Sequence, residues 1–330
     1  MDNEKPGKLS SNAVIKGFIS FHAMWIITVG INLLVVVGCY FYPSKVLGCI
    51  VLPYLTYTQT FGRHELKDGA RYLPFSKHFI LFQPCRDFLR LSFLSTSPKE
   101  LSEADSKPNA QFMIAIFPHG TNCDFRILMD GMLQEVLPNT HGHIRTLTAS
   151  VLFRIPIVRE FGLWTGCIDA RRKVAERALD NGRSLVVLPG GEAEQIRTQN
   201  SKERVYLSRR KGFIKLAMRK NVPVVPVYVF GSSDAYSTSS FLIGPRMWLQ
   251  KKFAICIPFA FGFCGSLFCP LPNQTTIVFG KPLSFKVKEI GMPTDEELNK
   301  AHSLFCKELT RTFDEAKTDL GYGDRELEII

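Results

Sequence analysis

The stretch FPHGTNCDF, residues 117–125, closes an apolar run with a proline, a histidine and a glycine, and sets Asp124 five residues after His119. A histidine at the C-terminal end of a buried strand stands where open α/β sheets place their ligands. If a helix begins near Asn122, Asp124 lies in its first turn and can turn back toward the imidazole. Such a carboxylate fixes the tautomer and stabilises the imidazolium formed when a hydroxyl proton is taken. No serine nucleophile is then required, because the substrate brings the hydroxyl. Alone, the pair reads equally as a turn histidine beside a helix cap.

Two further motifs bear on that choice. LPGGEAE, residues 188–194, ends an apolar run in Gly190-Gly191, which permits close backbone approach or an anion-binding nest of amides. RRKGF, residues 209–213, supplies Arg210 and Lys211, and Arg171 and Arg172 lie elsewhere; such cations suit phosphates, or simply form a solvated helix face. His141-Gly142-His143 lacks a third ligand, so no metal is expected.

The elements that must position these residues are legible as alternating patterns. Residues 111–117, 183–188 and 222–230 are short β-branched runs ending in Gly or Pro, as buried strands do. Residues 124–137, 171–180 and 205–219 fit amphipathic helices. The alternation predicts an α/β domain with a central, mostly parallel sheet flanked by helices. Thr294 with Glu297 forms a capping-box signature before Leu298, Ala301, Phe305, Leu309 and Phe313, which predicts a core helix. The polar stretch 95–107 reads as a linker or surface loop. No internal repeat is evident.

The N-terminus is different in kind. Residues 17–44 carry no Asp, Glu, Lys or Arg, and a second uncharged run covers 46–62. A span needs roughly 20 apolar residues, so the two runs predict a transmembrane helical hairpin over 17–62, after an N-terminal segment 1–16 and before a catalytic domain 63–330. Lys5, Lys8 and Lys16 precede the hairpin and Arg63, Lys67, Arg71 and Lys77 follow it, which places both flanks in the cytosol. Nine cysteines, an odd number with no CxxC pair, fit that reducing side. Residues 253–280 also lack Asp, Glu, Lys and Arg, but Pro258, Gly262, Gly265, Pro270 and Pro272 interrupt them, so they read as a membrane-contacting or buried loop followed by a strand at 275–279, not as a third span. Asn273 is then an unused glycosylation acceptor on the cytosolic side.

Lys plus Arg exceed Asp plus Glu by 41 − 30 = 11 in 330 residues, so anionic partners are expected. The basic residues are dispersed and no basic-aromatic stripe occurs, which argues against nucleic acid. No G-x-S-x-G elbow occurs, which argues against a serine lipase.

FPHG, PGGEAE and RRKGFIKLAMRKNVPVVPVYVFGSSDAY, in this order after an apolar hairpin, resemble the type-2 acyl-CoA:diacylglycerol acyltransferase family, which includes monoacylglycerol and wax-alcohol acyltransferases. The likeness continues through FRIPIVREFGLWTGCIDARR (153–172) and AHSLFCKELTRTFDEAK (301–317). It implies a membrane-bound enzyme of the endoplasmic reticulum, with the lipid droplet left open as a second location, that moves an acyl group from acyl-CoA to diacylglycerol to give triacylglycerol. The catalytic residues it implies are His119 and Asp124. Gly120, Arg172, Gly190, Gly191, Glu194, Arg210 and Lys211 are the expected substrate-binding set. Acyl-CoA is the co-substrate and no cofactor is implied; a neutral lipid acceptor and membrane lipids are the partners, and a homo-oligomer stays open. Two positions depart from the family pattern: Phe117 stands where HPHG has its first histidine, and Ser232 replaces the glutamate of FGEND. Monoacylglycerol, a long-chain alcohol or a sterol remains the alternative acceptor, and a non-catalytic lipid-binding scaffold the alternative class.

Overall fold

The computed structural model of the chain describes residues 9–253, 256–289 and 291–330. Seven strands build one sheet: β1 (Ser92–Ser95), β2 (Met113–Phe117), β3 (Ile144–Thr148), β4 (Cys167–Asp169), β5 (Ser184–Val187), β6 (Val224–Phe230) and β7 (Thr276–Phe279). Their order is β1-β7-β6-β2-β5-β3-β4. The five strands from β6 to β4 are parallel; β7 runs antiparallel to β6 and carries β1 beside it.

The central strands read as unbroken apolar runs because both sheet faces are covered. Met113, Ala115 and Phe117 of β2 pack with residues of the helices Arg172–Asp180, Gly212–Lys220 and Asp295–Lys317. Ile114 and Ile116 pack on the other face with residues of Phe82–Leu89 and Asp124–Met129. The expected C-terminal core helix is Asp295–Lys317, and its capping box is formed: Glu297 N donates to Thr294 Oγ1 at 3.2 Å and Thr294 N to the Glu297 carboxylate at 2.8 Å.

Several sequence expectations are corrected. The polar stretch 95–107 is not a linker: Pro98–Asp105 is a helix, and the buried Asp105 carboxylate accepts hydrogen bonds from Asn139 N and Thr140 N. The helix expected over 124–137 stops at Met129, where Asp130 turns aside to pair with Arg71 at 3.0 Å. The helix expected over 205–219 begins only at Gly212, because Arg204–Val205 instead pair in parallel with Glu328–Ile329.

One N-terminal helix, Ser11–Phe41, is long and apolar enough to cross a membrane, with a mean hydropathy of 2.1 in its most apolar window. Its first turns belong to the globular part: Phe21 is buried with its ring 5.7 Å from that of Phe88. Beyond Trp25 most apolar side chains are exposed, Leu34 being 71% exposed and Val36 66%, although Ile27 still packs on the core. The backbone breaks at Tyr42, and residues 43–59 continue as a shorter helical run. Among the described residues there is thus one helix of spanning length where the sequence suggests two. Asn32 Nδ2 donates to Pro156 O at 2.9 Å and Tyr54 Oη to Glu160 Oε1 at 3.0 Å, so both runs are tied to one segment of the globular part.

The 253–280 stretch contains no spanning helix among its described residues, and its strand is β7. Residues 1–8, within the expected N-terminal segment, and 254–255, within this stretch, lie outside the described residues. Residues 263–269 lean on the N-terminal helix: the Phe18 and Phe263 rings are 5.9 Å apart, those of Trp25 and Phe268 4.9 Å, and His22 Nε2 is 2.8 Å from Ser266 Oγ. Asn273 Nδ2 donates to Asp234 O at 2.6 Å.

Candidate active site

β2, β5 and β6 are parallel neighbours, so the loops leaving their C-terminal ends meet at one edge of the sheet. They bring together His119 and Gly120 after β2, Gly190, Gly191 and Glu194 after β5, and Ser232 after β6. This convergence is what parallel strands produce at the mouth of an α/β sheet.

Two hydrogen bonds join the first two loops, one of them from Gln195 Nε2 to Thr121 O at 2.6 Å. His119 N donates to Glu194 Oε2 at 2.7 Å, and Tyr206 N donates to Glu194 Oε1 at 2.8 Å. Glu194 is buried, and burial pushes its carboxyl up to about 7 against the pull of those two N–H donors. Gly190 lets the carboxylate in, since a Cβ there would stand 2.2 Å from Glu194 Oε2.

The imidazole of His119 is oriented by its own loop. Nδ1 lies 3.1 Å from Gly120 O. A carbonyl only accepts, so Nδ1 carries the hydrogen and Nε2 presents the lone pair. Burial lowers the pKa of His119, which keeps the ring neutral and able to take a proton. Gly120 has φ +68, and a Cβ on it would meet Ser232 Oγ at 2.3 Å, so the turn after the histidine needs a glycine twice over.

Asp124 opens the helix Asp124–Met129, as the sequence suggests, but it does not hold the imidazole. No hydrogen bond links it to His119 among the described residues. Its Oδ2 accepts instead from Tyr236 Oη at 3.0 Å, and burial pushes its carboxyl up to about 7. The orienting role expected of the aspartate is filled by Gly120 O, and Asp124 stands as a separate acid with a phenol of its own.

The cations divide. Arg210 lies over the Tyr206 ring at 5.2 Å and approaches Gly190 O at 3.5 Å. Lys211 Nζ donates to Asn299 Oδ1 at 2.7 Å. Arg172 follows the edge strand β4, three strands or about 14 Å from β2 at ordinary spacing. It pairs with Glu176 at 2.7 Å and is 67% exposed, so it is not brought to the His119 group. No cluster of three or more potential metal ligands occurs among the described residues.

The sequence that builds this arrangement matches a family of known proteins. The sequence profile described as "Diacylglycerol acyltransferase" matches residues 56–329. The chain belongs to the diacylglycerol acyltransferase family. It is 29% identical over 303 residues to diacylglycerol O-acyltransferase 2 of Xenopus tropicalis, a match covering 86% of this chain and 80% of that one. It is 28% identical over 331 residues to acyl-CoA wax alcohol acyltransferase 2 of Homo sapiens, covering 94% of each. A crystal structure of a 1-acyl-sn-glycerophosphate acyltransferase from Thermotoga maritima aligns with 16% identity and a TM-score of 0.46, covering 92% of this chain and 98% of that one.

Within this acyltransferase family the two departures have different surroundings. Phe117 is a core residue, fully buried with ring contacts to Phe213 at 6.5 Å and Phe305 at 6.1 Å. Ser232 is buried, and its hydroxyl lies against Gly120.

The sequence alone misses Tyr236 and Tyr206: neither is singled out as a site residue, and Tyr206 falls in a run that reads as helix. It also misses the support beneath them. Leu207 N and Ser208 N donate to Ile330 O at 3.0 Å, and Ile330 N to Val205 O at 2.9 Å. Arg325 bridges the buried Glu203 and Asp234 at 2.7 Å each, and Glu203 accepts from Tyr228 Oη at 2.6 Å. The C-terminal strand thereby fixes the segment whose Tyr206 N–H holds Glu194. The only available signal is the FGSSDAY motif, which contains both Asp234 and Tyr236.

Proposed function

We propose that the chain is a membrane-anchored enzyme that transfers a fatty acyl group from acyl-CoA to the hydroxyl of diacylglycerol, giving triacylglycerol and free CoA. The family match over residues 56–329, which contains every residue of the site, carries this reading. Relatives named diacylglycerol O-acyltransferase 2 support the acceptor.

In this reading Nε2 of His119 takes the acceptor proton as the hydroxyl oxygen attacks the thioester carbonyl carbon. The new C–O bond forms, the tetrahedral oxyanion collapses with cleavage of the C–S bond, and the imidazolium returns its proton to the CoA thiolate. A positioned base contributes roughly 10²- to 10⁴-fold. Asp124, once ionised, offers negative charge to the imidazolium. The backbone N–H of Gly120 has no protein acceptor among the described residues and is the donor for the oxyanion, with Gly190 beside it; one such donor is worth about 3 to 4 kcal/mol. Gly191 N is already bonded to Leu188 O at 3.1 Å. Arg210 and Lys211, next to the Gly190 turn, are the cations for the CoA phosphates, with Arg172 further along the same edge.

The exposed apolar surface of residues 26–41 and the run 43–59 support a hairpin anchor in the bilayer of the endoplasmic reticulum, with the catalytic domain 63–330 on the cytosolic side. A long-chain alcohol is the second acceptor to consider, because the human wax alcohol acyltransferase 2 match covers 94% of both chains. Microsomes containing the protein, given labelled acyl-CoA with diacylglycerol, monoacylglycerol, hexadecanol or cholesterol, test the reading. Diacylglycerol should be the preferred acceptor; preference for any other overturns that assignment, and transfer to none of them overturns the activity.

A further inference from the structure

Beside the catalytic loops lie two arginines that form no ion pair among the described residues, although the charge of Arg210 favours the ionised form of Glu194. The Arg197 guanidinium is 5.1 Å from the centre of the Tyr206 ring and that of Arg210 is 5.2 Å from it. Among the described residues Arg197 bonds only its own turn, Nη1 to Ala193 O at 2.5 Å. Arg210 makes one long bond to Gly190 O at 3.5 Å, and its Nε is buried without a hydrogen-bond partner. Neither forms an ion pair among the described residues. Glu194 is the nearby acid, but its two oxygens are taken by His119 N and Tyr206 N.

The two guanidiniums share one ring, and a buried guanidinium nitrogen without a partner costs free energy. An anion with several acceptor oxygens supplies that partner, and the guanidinium fork matches phosphate geometry. Tyr206 carries the arginines on its ring and holds Glu194 through its backbone, so an anion seated here lies one residue from the hydrogen bond that fixes the His119 loop.

We infer that Arg197, Tyr206 and Arg210 form the subsite for a phosphate group of acyl-CoA. This rests on the acyl-CoA reading above and adds Arg197 and Tyr206 to it. Arg172 has Glu176 as its partner and is not a member.

The test compares palmitoyl-CoA with palmitoyl-pantetheine, which carries the same thioester without phosphates, using the full chain in phosphatidylcholine micelles. The wild type should show a much lower KM for palmitoyl-CoA. Arg197→Gln should reduce that advantage about tenfold or more, the scale of one charged hydrogen bond, and Arg197→Lys should keep part of it. Adenosine 3′,5′-bisphosphate should compete with palmitoyl-CoA on the wild type, a measurement that does not depend on any variant folding. An equal loss on both thioesters would mean that Arg197 only props the loop, and the subsite is refuted. Competition by phosphatidic acid but not by the bisphosphate would assign the phosphate to a lipid headgroup and also refute it. Wild-type transfer from palmitoyl-CoA tests the parent reading by itself: its absence removes both, whereas transfer with an unchanged KM ratio in Arg197→Gln removes the subsite alone.

Discussion

Tyr236 donates its phenolic hydrogen to Asp124 at 3.0 Å, so the acid of the His-x4-Asp motif is held from β6's loop and not by the histidine. Asp124 and His119 therefore keep separate partners, a phenol for one and Gly120 O for the other.

A pH effect follows from this arrangement. The Asp124 carboxyl is pushed up to about 7, and the Tyr236 hydrogen bond pulls against that rise. Tyr236→Phe removes the pull, so the acid limb of kcat/KM should move to higher pH. A profile with the wild-type midpoint, measured with saturating acceptor, would show that Asp124 does not set the limb.

Glu194 also titrates near 7, against about 4.5 for a free glutamate. Its folded form holds the proton over a range in which the unfolded chain has released it, so its contribution to stability falls as pH rises from about 4.5 to 7. Glu194→Gln should flatten that fall. Thermal unfolding in detergent across this pH range measures the slope; a variant with the wild-type slope would contradict the prediction.

Gly120→Ala should inactivate the enzyme, since its Cβ would stand 2.3 Å from Ser232 Oγ at φ +68. Ser232→Gly in the same chain should recover part of the activity by removing the clash while leaving the backbone strain. No recovery in the double variant would show that conformation alone governs the position.

Arg325→Met leaves the buried Glu203 without its cation. Removing one partner of a buried pair costs about 3 to 5 kcal/mol, and the partial exposure of Arg325 places the loss toward the lower end. The C-terminal strand should then become sensitive to protease before the core does. Unchanged digestion of a C-terminal tag would count against the strand as a support for Tyr206.

Much of the site was legible because it sits where pattern and chemistry coincide. The run ending in Phe117 is apolar on both faces, and the run before Gly190-Gly191 likewise, so His119 and Glu194 could be placed at strand ends before any coordinates. The β-strands at 92–95 and 167–169 were not legible, being short and without alternation. Neither was the pairing of residues 204–205 with 328–329, because contacts between distant segments leave no local periodicity. Helical spacing in 205–219 pointed the wrong way for its first turns, where backbone pairing overrides propensity. The Asp124 partner was missed for the same reason: a carboxylate five residues from a histidine is a local argument, whereas Tyr236 is more than a hundred residues away.

The most direct test of the account is triacylglycerol synthesis from labelled oleoyl-CoA and diacylglycerol in microsomes carrying wild type or His119→Ala at equal protein. The account predicts a loss of roughly 10²-fold or more in the variant, with membrane association and expression unchanged. A His119→Ala enzyme that retains most of the wild-type rate would contradict it.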